Sequence, residues 1–135
     1  PDDRHPDHQR AAGMVVQAAF LANLVKVETS GADGALQPAW RTRAIYHYVQ
    51  DRTCRPDLVV DITPHIDRKF EAIRAYQSQF YQPDCTDPET PISCPSFFEA
   101  LRGQNAMLGR QIGVDYAEGF TVARTVGVKD LFDLV

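Results

Sequence analysis

The longest uncharged stretch of the sequence, roughly 15 residues, runs from Ala11 to Val25. Its apolar residues recur at helical spacing and predict an α-helix that follows His8. Small or apolar residues also occupy the intervening positions, so we expect this helix to be covered on most sides. The stretch contains Gln17 and Asn23 and is shorter than the roughly 20 apolar residues that a bilayer span requires. It therefore predicts a buried helix and no membrane span.

The composition is typical of one soluble globular domain, or of part of one. Of the 135 residues, 44% are hydrophobic and 24% are charged, which argues against a disordered chain. The formal net charge of -4 argues against a nucleic-acid binder, because such proteins usually present a basic face. Three cysteines at no metal-ligand spacing favour a reducing compartment, and no signal-peptide pattern is visible, so a cytoplasmic location is expected.

Predicted strands and helices alternate along the chain. Short apolar or aromatic runs at residues 43–49 and 58–62 predict strands, the second one buried on both faces of a sheet. Thr63-Pro64 predicts a helix start, with the helix running to about Phe80. Ser96-Phe97-Phe98-Glu99 matches a capping box, and Gly113 is a suitable stop for the helix that follows. Loops are predicted at residues 30–34 and 81–95, a strand or an active-site loop at 114–122, and a short final helix at 128–132.

This alternation indicates an α/β domain with a mainly parallel sheet. Only two or three strand candidates are present in the sequence, whereas doubly wound sheets usually contain about five or more. A sheet reduced in this way exposes an unpaired edge and leaves the apolar helix uncovered.

Residues suited to chemistry are densest at Arg4-His5-Pro6-Asp7-His8. Two imidazoles three positions apart at a helix start can point into one cleft, and a carboxylate between them can fix the tautomer of one ring. Histidine and carboxylate ligands suit zinc, but a hydrolytic zinc site usually has three protein ligands, so this motif alone does not complete one. The same residues are also compatible with an ordinary charged loop, because short motifs match by accident.

This motif, followed by a helix rich in small residues, resembles the second signature of the LmbE-like (PIG-L) zinc-dependent N-deacetylases, which act on N-acetylglucosamine conjugates. Residues 76–80 and 112–120 also resemble that family, most closely its bacillithiol-biosynthesis branch, and residues 56–62 with the helix after them occur in the same order. The resemblance covers essentially residues 1–135. It implies a Rossmann-like three-layer sandwich with a mainly parallel sheet, represented by its C-terminal part.

One departure from the family pattern concerns its first signature, a His-Pro-Asp-Asp segment that supplies two zinc ligands and the general base. The sequence does not contain it. Pro1-Asp2-Asp3 is similar to its tail but runs straight into the second signature, so we interpret it as the approach to that motif. The N-terminal part of the domain, with the first metal motif, is therefore expected to lie outside residues 1–135.

Position by position, the resemblance assigns roles to five residues. His8 is similar to the third zinc ligand, His5 to the histidine that stabilises the tetrahedral intermediate, and Asp7 would orient His5. Arg4 would pair with an anionic substrate group, or is simply a solvated arginine. Tyr116 would hydrogen-bond the acetyl oxygen or a sugar hydroxyl, or is a core tyrosine.

The resemblance implies a Zn²⁺-dependent hydrolase that removes the N-acetyl group from an N-acetylglucosaminyl conjugate, with N-acetylglucosaminyl malate of bacillithiol biosynthesis as the expected substrate. It also implies a homo-oligomer, with a hexamer among the expected forms. Two alternatives stay open. The chain is an inactive fragment or binding module of the same fold, or it acts on another amino-sugar amide, such as a mycothiol precursor or a chitooligosaccharide. His47 and His65 are expected to pack or cap rather than to bind a ligand.

Overall fold

The computed structural model describes residues 3–80, 88 and 90–134, and these divide into two compact units. Unit 1 contains residues 3–57 and 120–134, and unit 2 contains the described residues between 58 and 119. No helix in this part of the chain is long and apolar enough to cross a membrane. The helices are α1 (Pro6–Ala22), α2 (Ile66–Arg74) and α3 (Phe97–Ile112), and the strands are β1 (Thr29–Ser30), β2 (Leu36–Gln37), β3 (Tyr46–Tyr48), β4 (Leu58–Asp61) and β5 (Ala117–Val122).

Helix α1 of unit 1 begins at Pro6, earlier than the sequence predicts. Proline suits the first turn of a helix because its φ is fixed near the helical value. The backbone N–H groups of that turn have no partner within the helix, so the missing N–H of proline costs nothing there. The expectation that this helix is buried is wrong for the described structure, since α1 buries none of its residues. Met14 is 68% exposed and Phe20 is 65% exposed. This exposure agrees with the other expectation from the sequence, that a sheet with so few strands leaves the apolar helix uncovered.

A short hairpin follows α1 in unit 1. Strands β1 and β2 are antiparallel, with Thr29 opposite Gln37 and Ser30 opposite Leu36. The predicted loop lies between them, and Gly34 has a φ of 77° that favours glycine. The two strands were not predicted, because two residues each are too short to show a period.

The predicted strand at residues 43–49 is confirmed as the shorter β3. It pairs antiparallel with the end of β5, with Tyr46 opposite Val122 and Tyr48 opposite Phe120. The ambiguous segment at residues 114–122 is thus a strand, β5, for most of its length. The antiparallel pairing of β3 with β5 joins residues far apart in sequence, and the sequence pattern did not reveal it.

Strand β4 opens unit 2 and coincides with the predicted run at residues 58–62. It is not buried on both faces, since Val60 is 46% exposed and Asp61 is exposed as well. The helical start after it also differs from the prediction. Thr63–His65 form a 3₁₀ turn without a side-chain cap from Thr63, and the carboxylate of Asp61 accepts the Thr63 N–H at 2.8 Å.

Helix α2 ends at Arg74 rather than near Phe80, because the chain turns at Tyr76 and again at Gln79. Helix α3 occurs where it is predicted and ends at Gly113, which has a φ of 75°. The predicted capping box does not form, since Ser96 has helical backbone angles and makes no side-chain capping hydrogen bond.

The buried residues of unit 2 come from α2, α3 and β5. Phe70 is 2% exposed, Ile66 is 6% exposed and Ala117 is fully buried. Gly109 lies directly against the backbone after α3, because a Cβ placed there would meet the carbonyl oxygen of Val114 at 2.7 Å. This close approach fixes α3 against the chain that leads into β5.

The remaining sequence predictions concern the loops and the chain end. The long loop at residues 81–95 lies largely outside the described residues, as does Cys85. Cys54 and Cys94 are free thiols. The short final helix is present as a 3₁₀ turn, Leu131–Asp133, in which the Asp130 carboxylate accepts the Phe132 N–H at 3.0 Å.

Candidate functional site

The two histidines of the N-terminal motif lie side by side at the start of α1. His5 is the N-cap residue, with extended backbone angles, and His8 lies in the first turn. Their ring centroids are 5.3 Å apart and the rings are tilted by 35°. The side chains are 49% and 43% exposed, so both rings are accessible to a ligand. The structure thus brings together the two imidazoles that the sequence singled out.

The hydrogen bond at His5 determines where its proton lies. The Nδ1 atom of His5 accepts the backbone N–H of Asp7 at 3.2 Å. A neutral imidazole has one donor and one acceptor nitrogen, so the ring with Nδ1 as acceptor carries its proton on Nε2. His5 is therefore arranged to donate a hydrogen bond from Nε2.

Asp7 holds His5 through its main chain rather than through its carboxylate. The Oδ2 atom of Asp7 is 3.8 Å from Nδ1 of His5, and Oδ1 is 3.4 Å from the guanidinium of Arg10. The side chain of Asp7 is 70% exposed. Any electrostatic contribution of this carboxylate to His5 is therefore weakened by solvent.

Asp3 is a functional candidate that sequence reasoning did not single out. Its Oδ1 atom lies 3.4 Å from Nδ1 of His8 and also accepts the backbone N–H of His5 at 3.3 Å. Its side chain is only 13% exposed, far less than those of the two histidines. A carboxylate at Nδ1 orients an imidazole and leaves Nε2 free for a ligand, as is common around metal-binding histidines. The only sequence signal was an acidic residue just before the motif.

Arg4 already has a carboxylate partner. Its Nε atom donates to Oδ2 of Asp51 at 3.0 Å, and the two side chains are 37% and 32% exposed. An anionic substrate group at Arg4 would have to share the guanidinium with Asp51. The ion pair links the start of the motif to the chain just after β3.

The donors in this cluster fit part of a zinc site and not a complete one. Within residues 3–80, 88 and 90–134, no group of three or more histidine, cysteine, aspartate or glutamate side chains converges in a way that could hold a metal ion. His8 can offer Nε2, and two donors alone bind zinc weakly compared with the three or four of established sites.

Tyr116 belongs to unit 2, where it is half-buried. Its hydroxyl oxygen accepts a hydrogen bond from Arg102 at 3.3 Å. This bond is the largest cause that raises the pKa of Arg102 above its ordinary value. Thr63 fixes the Tyr116 backbone, because the Thr63 hydroxyl oxygen accepts the Tyr116 N–H at 3.1 Å. Arg102 was not singled out from the sequence, where it is one of two arginines in the predicted helix.

A second polar network of unit 2, formed by Lys69, Asn105 and Glu118, holds secondary-structure elements together. Lys69 contacts Glu118 at 2.5 Å and Asn105 at 3.2 Å. The amide of Asn105, which is 3% exposed, donates to the carbonyl of Ala117 at 2.9 Å. The network ties α2 and α3 to β5 and satisfies the buried amide. His65 lies at the start of α2, is exposed and makes no side-chain capping hydrogen bond.

No protein-family model matches the chain. It is 30% identical over 119 residues to a diacetylchitobiose deacetylase of Thermococcus kodakarensis, a match that covers 88% of this chain and 40% of the relative. Among solved structures, the N,N'-diacetylchitobiose deacetylase of Pyrococcus horikoshii, in complex with an inhibitor, is 30% identical with a TM-score of 0.67 over 90% of this chain and 41% of that one. The conserved protein TT1542 of Thermus thermophilus is 29% identical with a TM-score of 0.74, over 94% and 50%.

Two of these three homologues are thus diacetylchitobiose deacetylases, which belong to the LmbE/PIG-L deacetylase family. The α/β, LmbE-like fold predicted from the sequence is confirmed by the structural neighbours. The bacillithiol branch is not confirmed. The chain spans 40% to 50% of the length of the proteins that it matches. A cytoplasmic location and a homo-oligomeric state stay predictions.

Proposed function

We propose that this chain forms the C-terminal part of one LmbE-like domain, residues 1–135, in a zinc-dependent deacetylase that removes the N-acetyl group from an amino-sugar conjugate. The observation that carries the proposal is the arrangement of His5 and His8 at the start of α1, with Asp3 beside His8. Two of the proteins named above are diacetylchitobiose deacetylases, and the one from Pyrococcus horikoshii shares this fold.

In this proposal His8 is the one zinc ligand that the chain supplies. Asp3 faces Nδ1 of His8, so the lone pair of Nε2 is available to a metal ion. Bound zinc supplies a Lewis acid that acidifies a water molecule and polarises a carbonyl group. The remaining ligands are expected in the first signature of the family, which this sequence does not contain.

His5 is the proposed hydrogen-bond donor to the oxygen of the acetyl group. When water adds to the acetyl carbon, negative charge develops on that oxygen, and a positioned donor stabilises it. The Asp7 N–H holds Nδ1 of His5 and leaves the proton on Nε2. Asp7 is therefore a positioning residue that acts through its backbone. The C–N bond then breaks, acetate leaves and the sugar amine gains a proton.

The general base that takes the proton from water is expected outside this chain, in the same first signature. Tyr116 is proposed to hydrogen-bond the acetyl oxygen or a sugar hydroxyl. Its hydroxyl already accepts from Arg102 and retains its own O–H as a donor. Arg102 is then a positioning residue for Tyr116.

Two substrates are compatible with the proposal. The names of the relatives favour a short N-acetylated chitooligosaccharide. The ion pair of Arg4 with Asp51 agrees with a neutral substrate, because the guanidinium is already engaged. The second candidate is N-acetylglucosaminyl malate, which the sequence motifs favoured and in which Arg4 would pair with a carboxylate.

The proposal is tested by measuring acetate released by the full-length protein from diacetylchitobiose and from N-acetylglucosaminyl malate, before and after treatment with a chelator. We expect release that stops on chelation and returns with zinc. If Arg4 binds the carboxylate of the substrate, Arg4→Gln raises the KM for the malate conjugate. The KM for diacetylchitobiose then stays unchanged. No release from either substrate, with zinc present, would mean an inactive protein or a binding module of the same fold.

The role of Asp3 and His5 has a separate test in the same assay. Asp3→Asn is expected to lower zinc affinity by about 10- to 100-fold, the usual effect of losing a partner of a metal-bound histidine. His5→Ala is expected to lower kcat by about 100- to 1,000-fold with zinc still bound. Loss of zinc in the His5 variant and not in the Asp3 variant would indicate that His5, and not His8 with Asp3 beside it, binds the zinc ion.

A further inference from the structure

The ion pair between Arg4 and Asp51 joins two parts of unit 1 that are far apart in sequence. The Nε atom of Arg4 donates to Oδ2 of Asp51 at 3.0 Å, a normal hydrogen-bond distance. The two side chains are 37% and 32% exposed, so solvent screens this pair less than it screens a fully exposed one. Asp51 lies three positions after β3, which ends at Tyr48. The contact therefore brings a carboxylate from a separate segment to the start of the histidine motif.

Both arginines among the first ten residues are paired with a carboxylate. A terminal guanidinium nitrogen of Arg10 lies 3.4 Å from Oδ1 of Asp7, and Arg4 is paired with Asp51. Each positive charge is thus opposed by a negative charge at close range. Neither guanidinium offers an unopposed positive charge to an anionic substrate group.

Arg4 is adjacent in sequence to the proposed hydrogen-bond donor of the site. It directly precedes His5, whose backbone N–H donates to Oδ1 of Asp3 at 3.3 Å. The Cα atoms of neighbouring residues are about 3.8 Å apart, so Arg4 and His5 occupy the same end of α1. A substrate group that binds Arg4 also comes close to the carboxylate of Asp51, which is bonded to the same guanidinium. An anionic group is repelled there, whereas a hydroxyl group is not.

We propose that Asp51 is a specificity-determining residue that excludes anionic conjugates from the site and favours neutral N-acetylated amino sugars. Asp51 acts through Arg4, because it neutralises the guanidinium that would otherwise attract a carboxylate group. Its own charge also repels such a group, and specificity often depends on a repulsive element of this kind. The inference rests on the proposed deacetylase function for the location of the substrate, and it names the substrate class of that site.

The test is calorimetric titration of the zinc-loaded full-length protein with glucosaminyl malate and with its dimethyl ester. Neither compound has an acetyl group, so neither is turned over, and the ester lacks the negative charges of the malate group. Zinc is present in every titration, so its charge cancels when variants are compared. We expect the parent protein to bind the ester more tightly. Asp51→Asn removes the charge and keeps the side-chain shape, so it should strengthen binding of glucosaminyl malate by about tenfold and change that of the ester by about twofold or less.

Three further variants show whether the charge of Asp51 acts through Arg4. Asp51→Glu keeps the charge and should retain the preference of the parent protein. Asp51→Asn combined with Arg4→Gln should lose the tenfold gain, because that gain requires the guanidinium. Glu28→Gln is the matched control, since it removes an exposed carboxylate of unit 1 outside the motif and should leave both affinities unchanged. The gain in Asp51→Asn should also shrink as the salt concentration rises.

Several results would overturn the proposal. They are an unchanged ratio of the two affinities in Asp51→Asn, an equal gain in Glu28→Gln, and no binding of either compound to the parent protein. Circular dichroism and zinc content are measured for each variant, and loss of zinc from Asp51→Asn would show that Asp51 only supports the metal motif. Failure of the proposed function has a different signature, which is the absence of acetate release by the parent protein with zinc present.

Discussion

Helix α1 of unit 1 is more apolar in sequence than helix α2 of unit 2, yet only the helices of unit 2 have buried residues. Helix α1 buries none of its side chains. Helix α2 buries Ile66 and Phe70, and α3 buries Asn105 and Gly109. The apolar content of a helix indicates that its side chains need to pack against other elements. Whether they do so depends on the rest of the fold and not on the helix itself.

The largest contrast is expected between two phenylalanines. Phe70 is 2% exposed and its ring contacts Phe98, with centroids 5.8 Å apart, whereas Phe20 is 65% exposed. Phe70→Ala is expected to lower the free energy of unfolding by about 3–5 kcal/mol, because it leaves a cavity in the core. Phe20→Ala should change it by about 0.5 kcal/mol or less. Urea unfolding measures both, and equal losses would show that α1 is as well packed as unit 2.

Two glycines of α3 provide a sharper test of close packing in unit 2. A Cβ at Gly109 would lie 2.7 Å from the Val114 carbonyl oxygen and 2.8 Å from the Tyr116 nitrogen, whereas one at Gly103 meets nothing within 4 Å. Gly109→Ala is expected to destabilise the chain by about 1–3 kcal/mol, since backbone must shift. Gly103→Ala should stabilise it by up to about 1 kcal/mol through helix propensity. A stabilising Gly109→Ala would contradict the close approach of α3 to the chain before β5.

The smallest effect is expected at Asp61 and depends on pH. Hydrogen bonds from Thr63, first of all from its backbone N–H, hold the pKa of Asp61 below its ordinary value of 3.8. A carboxyl group whose pKa is lower in the folded state stabilises the fold above the unfolded pKa, and this contribution disappears as the pH falls through the folded pKa. Asp61→Asn should therefore lower the urea midpoint at pH 7 and have little effect near pH 2.

A matched control for that pH dependence is Asp115→Asn. Asp115 is exposed, and its carboxylate has no hydrogen bond or ion pair within the described residues. The urea midpoint of the Asp115→Asn variant should stay close to that of the parent chain both at pH 7 and near pH 2. An Asp61→Asn variant that behaves like Asp115→Asn at pH 7 would show that the hydrogen bond from Thr63 to Asp61 does not stabilise the fold.

Local patterns predicted most of the elements of this fold. The apolar run of β4, the periodicity of α3 and the stop at Gly113 all depend on neighbouring residues, so they are visible in sequence. The burial of α1 and of β4 depends on what covers them, which a single segment does not specify. The antiparallel pairing of β3 with β5 joins residues far apart in sequence, and the unformed capping box at Ser96 depends on a backbone conformation that residue type does not fix.

The candidate site was predictable to a similar degree. The spacing of His5 and His8 placed both rings at one helix start, as the structure does. Asp3 was overlooked because its contact with His8 depends on the bend of the chain before α1. The partner of Arg4 was also not predictable from the sequence, because Asp51 is 47 positions away along the chain. The roles assigned to these residues and to Tyr116 stay predictions.

The central claim is that His8 holds the metal of a deacetylase, and one paired measurement tests it most directly. Zinc-dependent acetate release from diacetylchitobiose is measured for the full-length protein, for His8→Ala and for His65→Ala, an exposed histidine of unit 2. We expect His8→Ala to reduce release by more than about 100-fold, beyond the usual effect of a metal-ligand partner, and His65→Ala to leave it unchanged. Full activity of the His8 variant would contradict the account.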